Sequence, residues 1–358
     1  MLTAKSRFPL KEIILFGFLP SALKRLVYRI RGYRIGRNVA IGIGSVVCGE
    51  KVEIGDHTNI GFFSFLRGKE IRLGAHVSIG SFTMIDTPFV EIGDGTKINE
   101  QVFVGGMQFP DSRFTVGKNC QIMQMTFINP TRSVTMGDDS CIGGDSLVFG
   151  HASWLNKFEG YHVDAGPIVI GKSVGIAWRV FIGVGANIGD GAMIGANSFV
   201  NRKIPPHCLA MGSPAKVVAK EPYFPRKISD EEKIQFLDDI ILEMIGFLRG
   251  HGLDAMLDGK IVRVVRETRK WFVRRRKVCC LWIENTPLDS QVDHNLPSGL
   301  DVFLSLRSIP DQVRRSLSDR RIVWIDIEAK ERSDFGNELG EEVVLYLRRY
   351  GVRFNRVG

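Results

Sequence analysis

The chain has 358 residues, which gives room for two domains. Its six cysteines, at positions 48, 120, 141, 208, 279 and 280, show neither a zinc-binding spacing nor a regular disulfide framework, so we expect reduced thiols in a cytoplasmic protein. The net charge of +9 is moderate and no nucleic-acid-binding module accompanies it, so we expect no nucleic-acid partner.

The first segment, residues 1–34, is predicted to be a helical cap. Its apolar stretch Leu10–Ile30 is interrupted by Pro20, Lys24 and Arg25, which argues against a transmembrane span. A small-residue cleavage site is also lacking, so we expect no signal peptide. We favour a helix that covers the open end of the next domain. The alternative is an interfacial helix that holds the protein peripherally at the inner face of the membrane.

A six-residue rhythm runs from residue 35 to about residue 204. Every sixth residue is aliphatic and is usually followed by glycine, which neither a helical period nor a two-residue alternation explains. Such a repeat predicts a β-helix, in which three short strands make a triangular coil of about 18 residues. The aliphatic side chains stack inside it and glycine allows the corners. The clearest anchors are Ile170, Ile176, Ile182, Ile188, Ile194 and Val200.

Two insertions interrupt the rhythm, one at residues 105–111 and one between Val148 and Ile168. A solenoid accommodates insertions at its corners, where they often form the working face. The second insertion is rich in residues that can do chemistry, namely His151, Trp154, Glu159, Tyr161, His162 and Asp164. We therefore expect the functional site there.

Residues 221–358 lack the repeat and are predicted to form a small α/β domain of open role. A helix begins at Ser229, which forms a capping box with Glu232, and ends before Gly250. Four strands and two more helices follow, at Lys260–Arg266, Lys277–Glu284, Leu300–Leu306 and Arg321–Asp326, and at Ile309–Leu317 and Gly336–Tyr350. The basic run Arg266–Lys277 is either a solvated surface or a contact for an anionic glycan, a lipid phosphate or a membrane.

Four segments near the end of the repeat resemble the hexapeptide-repeat acyltransferases. They are Ile168-Val-Ile-Gly-Lys-Ser-Val-Gly, the repeat that starts at Ile188, Lys203-Ile-Pro-Pro, and Met211-Gly-Ser-Pro-Ala-Lys-Val-Val. The chain is most similar to galactoside, maltose, xenobiotic and bacterial-polysaccharide O-acetyltransferases, over roughly residues 20–220. The resemblance implies a left-handed parallel β-helix at residues 35–220 in a mainly β chain. It also implies a homotrimer with active sites between subunits, and acetyl-coenzyme A as the acyl donor.

His151 is the predicted catalytic base. A sugar hydroxyl is a poor nucleophile at neutral pH, and a histidine, whose ordinary pKa is near neutral, can take its proton. Members of the family often place this histidine two residues later, where this chain has Ser153, so His162 is the alternative base. Asp145 or Glu159 would orient the imidazole. Asn129, Trp154 and His162 are predicted to bind the acceptor; for Asn129, an asparagine ladder at a corner of the solenoid is the alternative.

Cofactor contacts follow from the resemblance, position by position. Trp178 and Ala196 would lie on the pantetheine path, although the family usually has a small residue where Trp178 stands. Gly175 replaces a tryptophan common in the family. Asn201 and Arg202 stand where the family often has Thr-Lys, and Lys216 would face a phosphate; ordinary surface charge is the alternative for Arg202 and Lys216.

We therefore expect an acetyl-coenzyme A-dependent O-acetyltransferase that acts on a carbohydrate, nucleotide-sugar or glycolipid acceptor in bacterial surface polysaccharide or glycolipid synthesis. Amino-sugar N-acetylation is the nearest alternative, and a non-catalytic trimeric scaffold with a partner-binding C-terminal domain is a second. A zinc site of three histidines is not expected, because His57 and His76 stack in successive coils without a third.

Overall fold

The computed structural model of the chain describes residues 9–270, 273–288 and 296–357; the side chains at 268–270 and 273–275 lie outside this description. Residues up to Arg226 form one compact unit, and residues from Lys227 onwards form a second.

The first unit is a parallel β-helix, and each of its coils contributes one short strand to each of three faces. Face A contains β1 (Arg34–Ile35), β4 (Lys51–Ile54), β7 (Glu70–Leu73), β10 (Phe89–Ile92), β13 (Arg113–Val116), β16 (Ser133–Met136), β21 (Ile168–Ile170), β24 (Asn187–Ile188) and β27 (Lys203–Ile204). Face B contains β2 (Ala40–Ile41), β5 (Asn59–Ile60), β8 (Ser78–Ile79), β11 (Lys97–Ile98), β14 (Gln121–Ile122), β17 (Cys141–Ile142), β22 (Gly175–Ile176), β25 (Met193–Ile194), β28 (Cys208–Met211) and β29 (Lys216–Lys220). Face C contains β3 (Val46–Cys48), β6 (Phe65–Arg67), β9 (Met84–Asp86), β12 (Phe103–Val104), β15 (Phe127–Asn129), β18 (Leu147–Phe149), β23 (Phe181–Ile182) and β26 (Phe199–Val200).

The interior of the β-helix is a continuous column of aliphatic side chains. β10 pairs in parallel register with β13, which sets Ile92 beside Val116, and both side chains are buried. The repeat anchors that the sequence predicted all belong to this one core. Burial of each such side chain contributes about 1.5–3 kcal/mol before the entropy of folding is counted, so the repeat is what holds the coils together.

The corners of the coils are fixed by residues in the left-handed region and by side-chain hydrogen bonds between coils. His57 and His76 have φ of 59° and 56°, and their rings stack at 4.9 Å, as their spacing predicted. Asp56 Oδ1 accepts a hydrogen bond of 2.7 Å from the Arg37 amide in the preceding coil. This bond and the Arg37 guanidinium lower the pKa of the Asp56 carboxyl.

The N-terminal helical residues precede the first coil. They form α1 (Leu10–Glu12), a π-helical turn (Ile13–Gly17) and α2 (Ser21–Ile30), which begins directly after Pro20. Among the described residues, no helix combines the length and apolar character that crossing a bilayer requires.

The second unit is a mixed sheet with three helices. Its elements are α3 (Asp230–Gly250), β30 (Asp254–Asp258), β31 (Ile261–Lys270), β32 (Val273–Glu284), β33 (Val302–Ser305), α4 (Asp311–Asp319), β34 (Val323–Asp326), β35 (Glu331–Ser333), α5 (Glu338–Arg348) and β36 (Asn355–Val357). The strands lie in sequence order across the sheet. The capping box at Ser229 and Glu232 is present, and the four strands and three helices predicted here are confirmed to within a few residues.

The described residues of the basic run Arg266–Lys277 belong to β31 and β32, which pair in antiparallel register. At its base, Lys277 Nζ lies 2.9 Å from a Glu338 carboxylate oxygen. Trp271 and Phe272 of this run lie outside the described residues. The predicted fold class is confirmed: a mainly β chain with an N-terminal helix, a left-handed parallel β-helix and a C-terminal α/β unit.

Candidate functional site

The second insertion leaves the β-helix where face C turns into face A, a corner that we call edge CA. It begins as a short antiparallel hairpin of β19 (His151–Ala152) and β20 (Asp164–Ala165), so the chain that leaves at His151 returns beside it. A Cβ atom at Gly150 would lie 3.0 Å from the Asn129 carbonyl oxygen and 3.1 Å from the Thr131 amide nitrogen. Glycine at position 150 therefore allows His151 to pass close over the preceding coil.

The His151 imidazole is anchored through one of its two nitrogens. Nδ1 lies 3.0 Å from Thr131 Oγ1 and 3.2 Å from Asn129 Nδ2, and Thr131 Oγ1 donates to Asn129 Oδ1 at 3.1 Å. Asn129 and Thr131 are buried, whereas His151 is half-buried. Partial burial lowers the pKa of His151 below its ordinary value, because desolvation disfavours the imidazolium. Nε2 has no hydrogen-bond partner within the described ranges.

Thr131 is the contact that sequence reasoning missed. It follows β15 by two residues and lies 20 residues, or one coil, before His151, the residue at which the insertion begins. Asn129 was predicted as a contact of the acceptor rather than of the imidazole, and lies in register with Phe149 of the next coil. The sequence does contain one signal for Thr131. It is a hydroxyl residue two positions after Asn129, in the coil that precedes the insertion.

The other predicted residues of the insertion lie towards solvent. Trp154 is 77% exposed, and its ring centroid is 6.5 Å from that of His151. His162 has a side chain that is 84% exposed, and its Nε2 lies 3.7 Å from an Asp164 carboxylate oxygen. Glu159 accepts a hydrogen bond from Asn156 Nδ2.

Asp145, considered above as an orienting group, lies at a different corner. One of its carboxylate oxygens is 3.7 Å from Arg179 Nε. In the part of the chain that the structure describes, the side-chain partners of His151 Nδ1 are Asn129 and Thr131 rather than Asp145 or Glu159.

The predicted pantetheine contacts lie on the corner where face B turns into face C, which we call edge BC. β22 and β25 pair in register, so Trp178 and Ala196 occupy equivalent positions in successive coils. A Cβ atom at Gly144, the equivalent residue of the previous coil, would lie 2.4 Å from Trp178 Cζ3. The indole therefore lies over Gly144, along the edge. Lys216 joins this edge, because it pairs with Met211 on the strand that follows Ala196 in face B.

Asn201 and Arg202 lie on edge CA, with the histidine. The registers of face C give Asn129, Phe149, Gly183 and Asn201 equivalent positions in four successive coils. Coils rise by about 4.8 Å each, so Asn201 lies about 14 Å along the edge from Asn129. The predicted cofactor residues are thus divided between two edges of one chain.

The cations of this set are suited to an anionic ligand. Lys216 and Arg202 are both exposed, and neither has a carboxylate within ion-pair distance among the described residues. Trp178 offers a half-exposed aromatic face beside Ala196. Lys216 and Arg202, on their separate edges, could each pair with a phosphate, and Trp178 could lie against the flexible arm, of a coenzyme A thioester.

Comparison with known proteins yields several acetyltransferases. No family model matches the chain. A protein of Staphylococcus aureus strain Mu50, provisionally named an acetyltransferase, is 46% identical over 68 residues, which covers 19% of this chain and 34% of that protein. The galactoside O-acetyltransferase of Escherichia coli K12 is 31% identical over 142 residues, which covers 37% of this chain and 66% of that protein.

Among solved structures, a UDP-N-acetylglucosamine acyltransferase from Bacteroides fragilis matches with a TM-score of 0.41 and 20% identity, over 58% of this chain and 80% of that one. The chain spans about a third of the length of the first relatives that it matches.

One relative is matched over more of its length. A protein of Escherichia coli K12 that carries the provisional name of a colanic acid biosynthesis acetyltransferase, WcaF, is 30% identical over 122 residues, which covers 29% of this chain and 67% of that protein. Together with the stacked six-residue repeats, this similarity shows that the chain belongs to the hexapeptide-repeat acyltransferase family.

Proposed function

We propose that this protein is an acetyl-coenzyme A-dependent O-acetyltransferase that acts on a sugar hydroxyl, with His151 as the general base. The observation that carries the proposal is the state of the imidazole. Its Nδ1 is held by two buried side chains. Its Nε2 has no hydrogen-bond partner among the described residues, and the imidazole lies at the start of an exposed loop. A general base needs this arrangement, with one nitrogen fixed and the other available to the substrate.

Thr131 selects the tautomer that the reaction requires. The hydroxyl hydrogen of Thr131 is donated to Asn129 Oδ1, so a lone pair of Oγ1 faces His151 Nδ1 at 3.0 Å. That lone pair favours a proton on Nδ1, which donates to Oγ1 and leaves Nε2 as the acceptor. If Nδ1 instead accepted from Asn129 Nδ2, at 3.2 Å, Nε2 would carry the proton and could not act as a base.

His151 Nε2 takes the proton of the acceptor hydroxyl as the hydroxyl oxygen attacks the thioester carbonyl. A new C–O bond forms and the C–S bond breaks, and the imidazolium returns its proton to the departing sulfur. Acetyl-coenzyme A supplies the acetyl group in activated form. The lowered pKa of His151 supports this role, because the imidazole is neutral at pH 7.

We propose that the protein is a homotrimer whose sites lie between neighbouring chains. Trp178, Ala196 and Lys216 lie on edge BC, whereas His151 lies on edge CA of the same chain. Assembly of three chains would bring one edge of each type together at every interface. Sedimentation analysis tests this, and a chain that remains monomeric at micromolar concentration contradicts it.

The names of two relatives support a sugar acceptor. One is named a galactoside O-acetyltransferase, and the other carries the provisional name of a colanic acid biosynthesis acetyltransferase. Exposed Trp154 beside His151 supports it as well, because an aromatic face can stack on a sugar ring. The same chemistry would serve an amino group, so the acceptor panel in the test includes amino sugars.

The test is transfer of labelled acetyl from acetyl-coenzyme A to a panel of oligosaccharides, nucleotide sugars and amino sugars. His151→Ala should lower turnover by about 10²–10⁴-fold, whereas stability should fall by no more than about 1–3 kcal/mol, because buried Thr131 and Asn129 lose a partner. His162→Ala is the matched control and should remain active. If His151→Ala keeps more than about a tenth of the rate while His162→Ala is inactive, the base is His162. If both variants remain active, the histidine mechanism is wrong.

A further inference from the structure

The N-terminal helical segment turns its apolar side chains to solvent and its polar ones inward. In α2, Lys24 and Tyr28 are fully buried, whereas Leu23, Leu26 and Ile30 are exposed. A surface helix ordinarily has the opposite orientation, with its apolar stripe against the core. The reversal therefore needs a cause on the inner face and an occupant on the outer one.

The cause is the open end of the β-helix. Lys24 Nζ donates to the carbonyl oxygens of Gly42 at 2.5 Å and Ser45 at 2.9 Å, and Tyr28 Oη accepts a hydrogen bond from the Val47 amide at 3.0 Å. These groups belong to the first coil, which has no preceding coil to pair with. Burial lowers the pKa of Lys24 to about 8. Because α2 satisfies these groups, its polar face is committed inward and its leucines must point outward.

The preceding residues extend the same apolar surface. We define the N-terminal apolar face as seven large side chains that are each between 47% and 77% exposed: Leu10, Ile14, Leu15, Phe18, Leu23, Leu26 and Ile30. They lie within 21 consecutive residues. A surface with so many exposed large apolar residues marks an interaction site rather than ordinary surface scatter.

The charges around this face are almost all positive. Lys11, Arg25, Arg29 and Arg31 have no carboxylate within ion-pair distance in the described ranges. Arg25 and Arg29 donate to backbone carbonyls, and Arg31 lies 4.1 Å from the Phe16 ring centroid, so the contacts given for these three guanidinium groups are to uncharged partners. Glu12 is the single acid of residues 1–37.

This combination distinguishes between two possible occupants. A second copy docked through the same face would bring two clusters of positive charge together, which is repulsive, and contact with a different face of a trimer neighbour is tested below by the oligomeric state without lipid. An anionic bilayer surface instead pairs with the cations while its acyl region receives the leucines and phenylalanine. We propose that the N-terminal apolar face docks the protein on the surface of an anionic lipid bilayer, without spanning it.

The test is co-sedimentation of the full chain with vesicles of phosphatidylcholine alone or mixed with phosphatidylglycerol. The wild type should bind the mixed vesicles, and added salt should weaken this binding. Leu26→Gln with Ile30→Gln should weaken it by about tenfold per side chain, since each loses most of its burial energy. Leu242→Gln with Leu345→Gln, at two comparably exposed leucines of the second unit, is the matched control and should bind as the wild type does.

A second variant tests the charge. Lys11→Glu removes an exposed cation that has no partner among the described residues, and should weaken binding to the anionic vesicles only. The proposal is overturned if the wild type binds neither vesicle, or if the control loses as much binding as the Leu26 and Ile30 variant. It is also overturned if that variant changes the oligomeric state without lipid, since a second copy then covers the face.

Discussion

Replacing Thr131 with valine tests whether the hydroxyl, rather than the mere presence of the histidine, sets up catalysis. Thr131 is fully buried, and valine has nearly the same shape, so the substitution removes the oxygen with little change in packing. It removes two contacts, the one at 3.0 Å to His151 Nδ1 and the one at 3.1 Å to Asn129 Oδ1.

The expected magnitude follows from the cost of an unpaired polar group. A buried donor without its acceptor costs about 1–3 kcal/mol, which corresponds to a loss of about 5- to 150-fold in the population of the Nδ1–H tautomer. Turnover should fall by that factor above the pKa of His151, where the neutral imidazole prevails, because the balance between its two tautomers has changed. The loss should shrink below that pKa, since the imidazolium carries a proton on Nδ1 in either variant. The KM for acetyl-coenzyme A should change little, since Thr131 is inaccessible to solvent.

Thr131→Ser is the matched control, because serine keeps the acceptor and should stay within about threefold of the wild-type rate. Steady-state kinetics over a range of pH, with thermal unfolding of each variant in parallel, provide the readout. A valine variant with wild-type turnover, or a serine variant as slow as the valine one, would refute the tautomer argument. A loss confined to KM would do the same.

Three other predictions concern the same site. Burial lowers the pKa of His151, and only the neutral imidazole is a base, so kcat/KM should fall with decreasing pH through a pKa below about 6.5. A pH profile of kcat/KM whose acidic limb has a pKa above that value contradicts this prediction. Gly150→Ala should inactivate the enzyme and cost about 1–3 kcal/mol, whereas Gly246→Ala, in α3 with no atom near its Cβ, should be neutral or stabilising by thermal unfolding. Co-expression of His151→Ala with a Trp178→Ala, Lys216→Ala double variant, each inactive alone, should restore about a quarter of the activity if sites are shared within random trimers.

The β-helix was predictable because its periodicity is repeated many times. Each coil must present aliphatic residues inward and small residues at corners, so the same constraint is written into every repeat. The C-terminal unit was predictable in its longer elements. β30, β35 and β36 were missed, since β35 and β36 have three residues each and β30 has a single buried side chain, Ala255. Such short strands depend on their neighbours in the sheet.

The histidine site was only half predictable, for a different reason. The insertion indicated His151 as the base, a role that stays a prediction. Asn129 was predicted as an acceptor contact, and the structure places its side-chain nitrogen beside the imidazole. Thr131 could not be assigned, because the length of the insertion hides how the chain leaves the coil, and the partner of Nδ1 is set by that exit. Asp145 is near in sequence, but it lies on edge BC, where it pairs with Arg179.

The position of Trp178 bears on how the donor and the histidine meet. Its indole lies over Gly144 and so runs along edge BC, parallel to the axis of the β-helix, rather than across face C. From Trp178 to Gly183, which is the coil equivalent of Asn201 on edge CA, the chain spans five residues, or about 16 Å of extended strand. A donor that follows Trp178 and Ala196 along edge BC would be separated from edge CA of its own chain by the width of face C, at most about this length, whereas transfer requires reacting atoms within about 3.5 Å. His151 of a neighbouring chain is consequently the better candidate for the base. If subunit mixing gives no recovery of activity, the donor must instead cross face C over the Phe149 and Phe181 rings, and each chain carries a complete site.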